Sequence, residues 1–274
     1  MKKRIKALWD SSPFARENLS MWETVSLFLE DMGLSRDSIL LDRAIDEEKE
    51  KRLFTLLERA VSGEPLGYIL GHIPFYKYDF YTAENVLIPR CDSEVLVERA
   101  VEMLPRGAHI IDFCTGTGCL GLSVILDRDD LTVTLVDISE DALTLASRNI
   151  EKYNLSGRAS VMRFDVLRDD YKALPRADGI IMNPPYITGR EMDSLPENVK
   201  REPALALFGG DDGLDFYRKL AGERDFLRGK TLFLEIGCAQ GSAVLGLLGG
   251  GEIVPDLEGR DRVVIVKSDE ACLI

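Results

Sequence analysis

Histidine is almost missing from this 274-residue chain, which holds only His72 and His109. With so few, and with no CxxC pair or HxxxH spacing, no metal site is expected. The five cysteines, Cys91, Cys114, Cys119, Cys238 and Cys272, are odd in number and scattered. They read as reduced, mostly buried thiols. No apolar run approaches the roughly 18 residues that cross a bilayer. The opening "MKKRIKALWD" is basic but lacks the apolar stretch of a signal peptide. A cytoplasmic protein with no membrane partner is the expectation. Net positive charge is missing too: the balance is −13. That argues against a broad electrostatic grip on nucleic acid, though not against a local basic groove, and it suits a basic partner.

What is present is ordinary for a soluble globular protein, 45% hydrophobic and 30% charged. The length allows one large or two modest domains. Residues 1–70 read as a small helical domain. "NLSMWETVSLFLEDMGL" sets Leu19, Trp22, Val25, Phe28, Leu29 and Met32 at helical spacing and ends at Gly33. "DEEKEKRLFTLLERAVSG" opens on Asp46, repeats Leu53, Leu56, Leu57 and Ala60, and ends at Gly63. Residues 1–75 carry 11 basic and 13 acidic side chains, so most of the negative charge lies later. Residues 71–92 contain "HIPFYKYDFYTAENVLIPR", whose alternating aromatics predict a β-hairpin linker built for packing.

Residues 93–274 alternate strands and helices. "HIIDFC", "TVTLVDI", "ASVMRFDV", "GIIMN", "TLFLEIG" and "RVVIVKS" read as strands, and "SEDALTLASRNIEKYN" as a helix capped by Ser139. The fold class is therefore α/β, a doubly wound, mostly parallel sheet with helices on both faces. After the first of these strands comes "DFCTGTGCLG", where Gly116, Gly118 and Gly121 permit a tight turn and close approach to a ligand. Asp137 ends the next strand, 25 residues after Asp112, where an acid can take both hydroxyls of a ribose. The pair points to an adenosine-containing cofactor without saying which. A dinucleotide remains open on these residues alone.

"IIMNPPYI" then ends a buried strand on a stiff polar tetrapeptide. Pro184 and Pro185 present carbonyls at fixed φ and have no N–H, and Asn183 adds a side-chain amide oxygen. Two rigid acceptors suit an –NH2 group. They could aim a delocalised amide lone pair at an electrophilic carbon and stabilise charge developing on nitrogen. Tyr186 would wall the substrate from water. Nothing in this tetrapeptide serves hydride chemistry.

"DFCTGTG", "LVDIS" and "NPPYI" together resemble class I S-adenosylmethionine-dependent methyltransferases acting on a planar nitrogen. With "EPLGYILG", "VLIPRCDSEVLVE", "EPALALFGGDDGLDFYR", "LEIGCAQG" and "DLEGRDRVV", the chain is similar to the release factor glutamine methyltransferases over most of residues 64–266. The resemblance implies a Rossmann-like, seven-stranded methyltransferase sheet and a substrate-binding role for the helical domain. It implies S-adenosylmethionine as cofactor, S-adenosylhomocysteine as product, and a monomer. The implied substrate is the glutamine amide N5 in the Gly-Gly-Gln loop of bacterial peptide-chain release factors. Carried over, the cofactor turn falls on Cys114, Thr115, Gly116, Thr117 and Gly118, the ribose acid on Asp137, and the adenine edge on Asp165 and Val166. Asn183, Pro184, Pro185 and Tyr186 would hold the glutamine, with Asn183 and Pro184 catalytic and Asn183 also near the cofactor. Arg90, Ser93 and Glu94 fall in a motif close to the cofactor, and Glu202 and Pro203 on the substrate side. Cys91, Asp92 and Ser93 depart from the family's usual proline, glutamate and threonine, and Gly67 from its glutamine. An alternative is a nucleic-acid methyltransferase acting on adenine N6 or guanine N2, because those amines share the –NH2 geometry. A cofactor-binding protein without catalysis is the non-enzymatic alternative.

Overall fold

The computed structural model describes residue 10, residues 21–35 and residues 45–268, so Leu19 and Cys272 lie outside it. Its contacts fall into two compact units, Met1–His72 with Pro196–Arg201, and Ile73–Leu195 with Glu202–Ile274.

In the first unit α1 (Met21–Asp31), α2 (Glu47–Val61) and α3 (Leu66–Leu70) bury one small core. Val25, Phe28, Leu29 and Met32 meet Leu53, Leu56, Leu57 and Ala60, the residues expected from helical spacing. Trp22 departs from that pattern: it is 40% exposed, one turn before Val25 and at the end of the described helix. Asp46 caps α2 by accepting the Lys49 N–H at 2.8 Å, which satisfies one orphan donor of the first turn.

The second unit opens with the hairpin β1 (His72–Phe75) and β2 (Tyr78–Tyr81). Phe75 and Phe80 are buried edge to face. The polar face is pinned to Asp127, which ends a helix: Tyr78 Oη donates to it at 2.6 Å, Tyr76 Oη at 3.2 Å, and Lys77 pairs with it. The aromatic alternation is packing, as its period suggests.

After helix α4 (Glu94–Met103) come β3 (His109–Phe113), α5 (Cys119–Asp127), β4 (Thr132–Asp137), α6 (Glu140–Lys152), β5 (Ala159–Arg163) and β6 (Gly179–Met182). Helix α7 (Asp215–Gly222), β7 (Thr231–Glu235), α8 (Gly241–Leu248), β8 (Glu252–Pro255) and β9 (Asp261–Lys267) complete the unit. The seven-stranded sheet runs β5-β4-β3-β6-β7-β9-β8. The strands from β5 to β7 are parallel, and β9 is antiparallel to both β7 and β8. Strand β6 is buried at every residue, as a strand covered on both faces must be. Strand β8 was absent from the sequence pattern: four residues, ending in proline at the sheet edge, carry almost no period-two signal.

The chain builds outward from β3 through β4 to β5, then returns to lay β6 on the other side of β3. The order therefore reverses between β3 and β6, and a crevice opens above their carboxyl ends. The turn after β3 and the tetrapeptide after β6 face that crevice from its two sides. Gly121 lets α5 come close enough to hold the turn. A Cβ there would lie 2.8 Å from Leu135 Cδ2 and 2.9 Å from Val133 Cγ2. Gly121→Ala is expected to destabilise the protein by about 1–3 kcal/mol through overpacking, measured by urea unfolding. An unchanged midpoint would show that helix and sheet part without cost.

Candidate active site

Strand β3 runs into Cys114, which sits at φ 55, followed by Gly116 at φ 56 and Gly118 at φ 82. Three left-handed residues so close together fold the chain back over the strand end; the glycines do so without strain, and Cys114 pays for it in backbone energy. The turn is fixed from below and from the side. Asp112 is fully buried, and its Oδ2 accepts the Thr115 hydroxyl at 2.6 Å and the Gly121 N–H at 3.1 Å. Burial pushes Asp112 up to about 7, against those two hydrogen bonds. Asp137 accepts the Gly116 N–H at 2.9 Å on Oδ2 and the Ser139 N–H at 2.9 Å on Oδ1. Burial raises Asp137 as well, and the Ser139 and Gly116 N–H groups oppose the rise.

Beside the turn lies a cavity of about 270 Å³. Cys114, Thr115, Gly116, Thr117, Asp137, Asp165, Val166, Asn183 and Arg90 all line it, with Pro185 and Pro203. Gly118 does not: it is the left-handed cap of α5. Pro184 and Tyr186 also lie off its lining, Pro184 being buried. Glu94, also predicted at the cofactor, lies off the lining as well: its Oε1 accepts the Tyr76 N–H of the hairpin at 2.8 Å. Glu202 stands behind the wall. Its Oε2 takes the Ile88 N–H at 3.0 Å and its other oxygen pairs with Arg90, so it shapes segment 86–90 without facing the cavity. Sequence reasoning missed that segment's wall, Asn85 to Pro89, and the contribution of Leu205, Ala206 and Phe216. Only the quoted "VLIPR" and "EPALALFGG" motifs pointed there. Of the thiols expected to be mostly buried, Cys119 is buried and Cys114 half-buried, whereas Cys91 and Cys238 are exposed on turns.

The tetrapeptide is braced from three directions. Ile187 N–H donates to Leu207 O at 2.9 Å, and Gly209 N–H to Ile187 O at 2.9 Å. Gln240 Nε2 donates to Tyr186 O at 3.1 Å and to Gly213 O at 3.2 Å. Asn183 Nδ2 donates to Ser93 Oγ at 3.5 Å. Two motifs with no evident chemistry, "FGGDDG" and "IGCAQG", thus hold the acceptor turn in place. A rigid turn of acceptors beside a cavity floored by a glycine turn can hold a nucleoside-like ligand and an amine within reach of each other.

Known proteins share this arrangement. A family model for a methyltransferase small domain matches residues 91–202, and one for a PrmC N-terminal domain matches residues 25–71. A release factor glutamine methyltransferase from Moorella thermoacetica is 40% identical over 242 residues, covering 84% of this chain and 85% of its own. The chain belongs to the release factor glutamine methyltransferase family. It is accordingly a protein-glutamine methyltransferase. A ribosomal protein uL3 glutamine methyltransferase from Francisella tularensis is also similar, at 31% identity over 94% of this chain and 85% of its own. The hMettl16 catalytic domain, solved in complex with MAT2A 3′UTR hairpin 6, aligns with a TM-score of 0.55. At 15% identity over 81% of this chain and 82% of that one, it shares the fold alone.

In a glutamine methyltransferase of this build, Gly209 is a sensitive position. A Cβ there would sit 2.5 Å from Pro185 O and 2.7 Å from Tyr186 Cα, so the acceptor turn would have to move. Gly209→Ala is expected to lower kcat by about 100-fold with cofactor affinity little changed. Wild-type turnover in this variant would mean the turn's position is not critical.

Proposed function

We propose that this methyltransferase transfers the methyl group of S-adenosylmethionine to the glutamine side-chain amide N5 in the Gly-Gly-Gln motif of bacterial peptide-chain release factors. The observation that carries the reading is the Asn183–Pro184–Pro185 turn, braced at the cavity that Asp137 and the glycine turn line.

The residues present fit the cofactor. A Cβ on Gly116 would meet nothing nearer than Val86 at 3.8 Å, so the turn leaves open space where a ligand can approach the backbone. The Asp137 oxygens take the Gly116 and Ser139 N–H groups and keep lone pairs for a ribose hydroxyl. Val166 gives an apolar surface for adenine, and Asp165, whose Oδ1 already takes the Leu167 N–H at 2.9 Å, fixes that edge. When bound, S-adenosylmethionine supplies an electrophilic methyl on a sulfonium.

The chain's own work is placement and charge. The Asn183 side-chain oxygen and the Pro184 carbonyl accept the two amide hydrogens of the glutamine and turn its lone pair toward the cavity. An amide nitrogen is a weak nucleophile because that lone pair is shared with the carbonyl. Holding it out of that conjugation, next to two acceptors, favours the positive charge that develops on nitrogen. The surplus proton then leaves to water. No covalent enzyme intermediate is needed. The helical unit, residues 1–70, is the module we assign to the protein substrate, and the enzyme works as a cytoplasmic monomer in this reading.

A second reading, ribosomal protein uL3 as acceptor, is favoured by the similarity to the Francisella enzyme. A labelled-methyl assay separates them, comparing a release factor, its Gly-Gly-Gln variant with the glutamine replaced by alanine, uL3 and total RNA. Label on the release factor that disappears in the alanine variant is expected. Label on uL3 or RNA with none on the release factor would sink the proposal. Asn183→Ala should lower kcat by about 100- to 1,000-fold and leave cofactor affinity nearly intact. Asp137→Ala should do the reverse, weakening cofactor binding by about tenfold or more, measured by calorimetry. Equal effects of both variants on both quantities would contradict the division of labour.

A further inference from the structure

Glu235 ends β7 beneath the acceptor turn, and nothing in the proposed mechanism uses it. It is 1% exposed, and its Oε2 has no hydrogen-bond partner among the described residues. A carboxylate in such a place is costly unless it is paired or hydrogen-bonded. Ser93, itself buried, lies beside it and favours its charge. Ser93 Oγ is also the group that receives Asn183 Nδ2.

We infer that Glu235 and Ser93 are positioning residues that decide which way the Asn183 amide faces. A hydroxyl has one hydrogen to give. An ionised Glu235 can only accept, so it takes that hydrogen. Ser93 is left with lone pairs toward Asn183 and can only accept from the Nδ2 group. Asn183 must then turn its oxygen away from Ser93, toward the incoming amine. Without the carboxylate the hydroxyl can point either way, and half of the Asn183 orientations offer the amine a donor instead of an acceptor. The 3.5 Å contact is long, as such bonds often are before substrate binds. This inference rests on the acceptor role proposed for Asn183.

The carboxyl's surroundings make the device sensitive to pH. Burial pushes Glu235 up to about 7, while Ser93, Arg262 and Arg90 favour its charge and Asp92 opposes it. Tyr186, Tyr217 and Cys119 also face it, and each is raised by burial, so they are neutral near pH 7. Below about 7 Glu235 gains a proton and can donate to Ser93, and the ordering is lost. Turnover should therefore fall as pH drops through about 7. Stability runs the other way. A carboxyl raised on folding favours the folded state most at low pH, and that advantage is lost as pH rises through about 7.

The test uses Glu235→Gln, Ser93→Ala and Asn183→Ala in full-length protein with a release factor as acceptor. Gln presents both a donor and an acceptor, so Glu235→Gln should lower kcat by about tenfold or more and erase the acidic limb of the pH profile. It should unfold no earlier than wild type at alkaline pH, a result that mere structural damage would not give. Ser93→Ala should lower kcat by about 100-fold with cofactor affinity unchanged. Independently of any substrate, the side-chain amide protons of Asn183 in asparagine-labelled protein should exchange faster in both variants, with Asn183→Ala assigning the signals. Unchanged exchange in both variants overturns the inference. So does Glu235→Gln with wild-type kcat and an intact acidic limb, provided Asn183→Ala is inactive. If Asn183→Ala stays active instead, the acceptor reading beneath it fails, and the inference falls with it.

Discussion

Three acidic side chains drawn wholly or partly out of water at the carboxyl ends of β3, β4 and β7 are the constraint around which this end of the molecule is built. Burial raises Asp112, Asp137 and Glu235 alike. Donors gather on each and belong to segments beside the cavity, although Asp112 Oδ1 and Glu235 Oε2 have no partner among the described residues. Asp112 collects Thr115 and the first turn of α5, Asp137 collects Gly116 and Ser139, and Glu235 collects Ser93 with Arg262 nearby. A loop whose backbone satisfies a buried charge cannot drift without exposing that charge to a medium that solvates it poorly. The carboxylates thus turn loops into fixed parts of the sheet.

The acceptor turn is held by a different means. In the proposed mechanism its carbonyls are kept free for the substrate, and the brace comes from the residues behind it. Gly209 and Gly213 supply it by allowing close backbone approach: a Cβ on Gly213 would lie 2.2 Å from Tyr186 O. Gln240 then bridges the two strands of this contact with one amide group. Arg262 extends the support outward, reaching Asp256 at 3.2 Å and Asp92 at 3.3 Å, next to Ser93. Asp92 thus offers an anion to this arginine.

Where side-chain type and spacing carry the information, the sequence was easy to read. The caps at Asp46 and Ser139, the hairpin aromatics, the glycine turn and Asp137 all announce themselves through local chemistry. Short edge strand β8 did not, because its pairing depends on β9 and not on its own period. Proximity in a motif is not direction: Glu94 sits one residue from Ser93, yet its carboxylate accepts from the hairpin. Gly118 is part of the turn and also caps the helix. The bracing contacts of Gly209 and Gln240 with the tetrapeptide were beyond reach, since they join residues at least 22 positions apart in sequence.

The same geometry explains why the site names a functional group more sharply than a protein. In the proposed reading two fixed acceptors recognise an –NH2, and any glutamine that reaches them presents the same one. Relatives named for release factors and for uL3 are 40% and 31% identical to this chain over most of its length, so in that reading the selection between proteins acts outside the turn. The surface next to it has the character such selection needs. Phe208 bridges to Ile187 immediately after the tetrapeptide and remains 44% exposed, and Leu205 nearby is 60% exposed. An exposed aromatic tied by its backbone to the acceptor turn cannot be withdrawn without moving the turn. A bound polypeptide that touched Phe208 would therefore meet a residue tied by its backbone to the segment that follows the tetrapeptide.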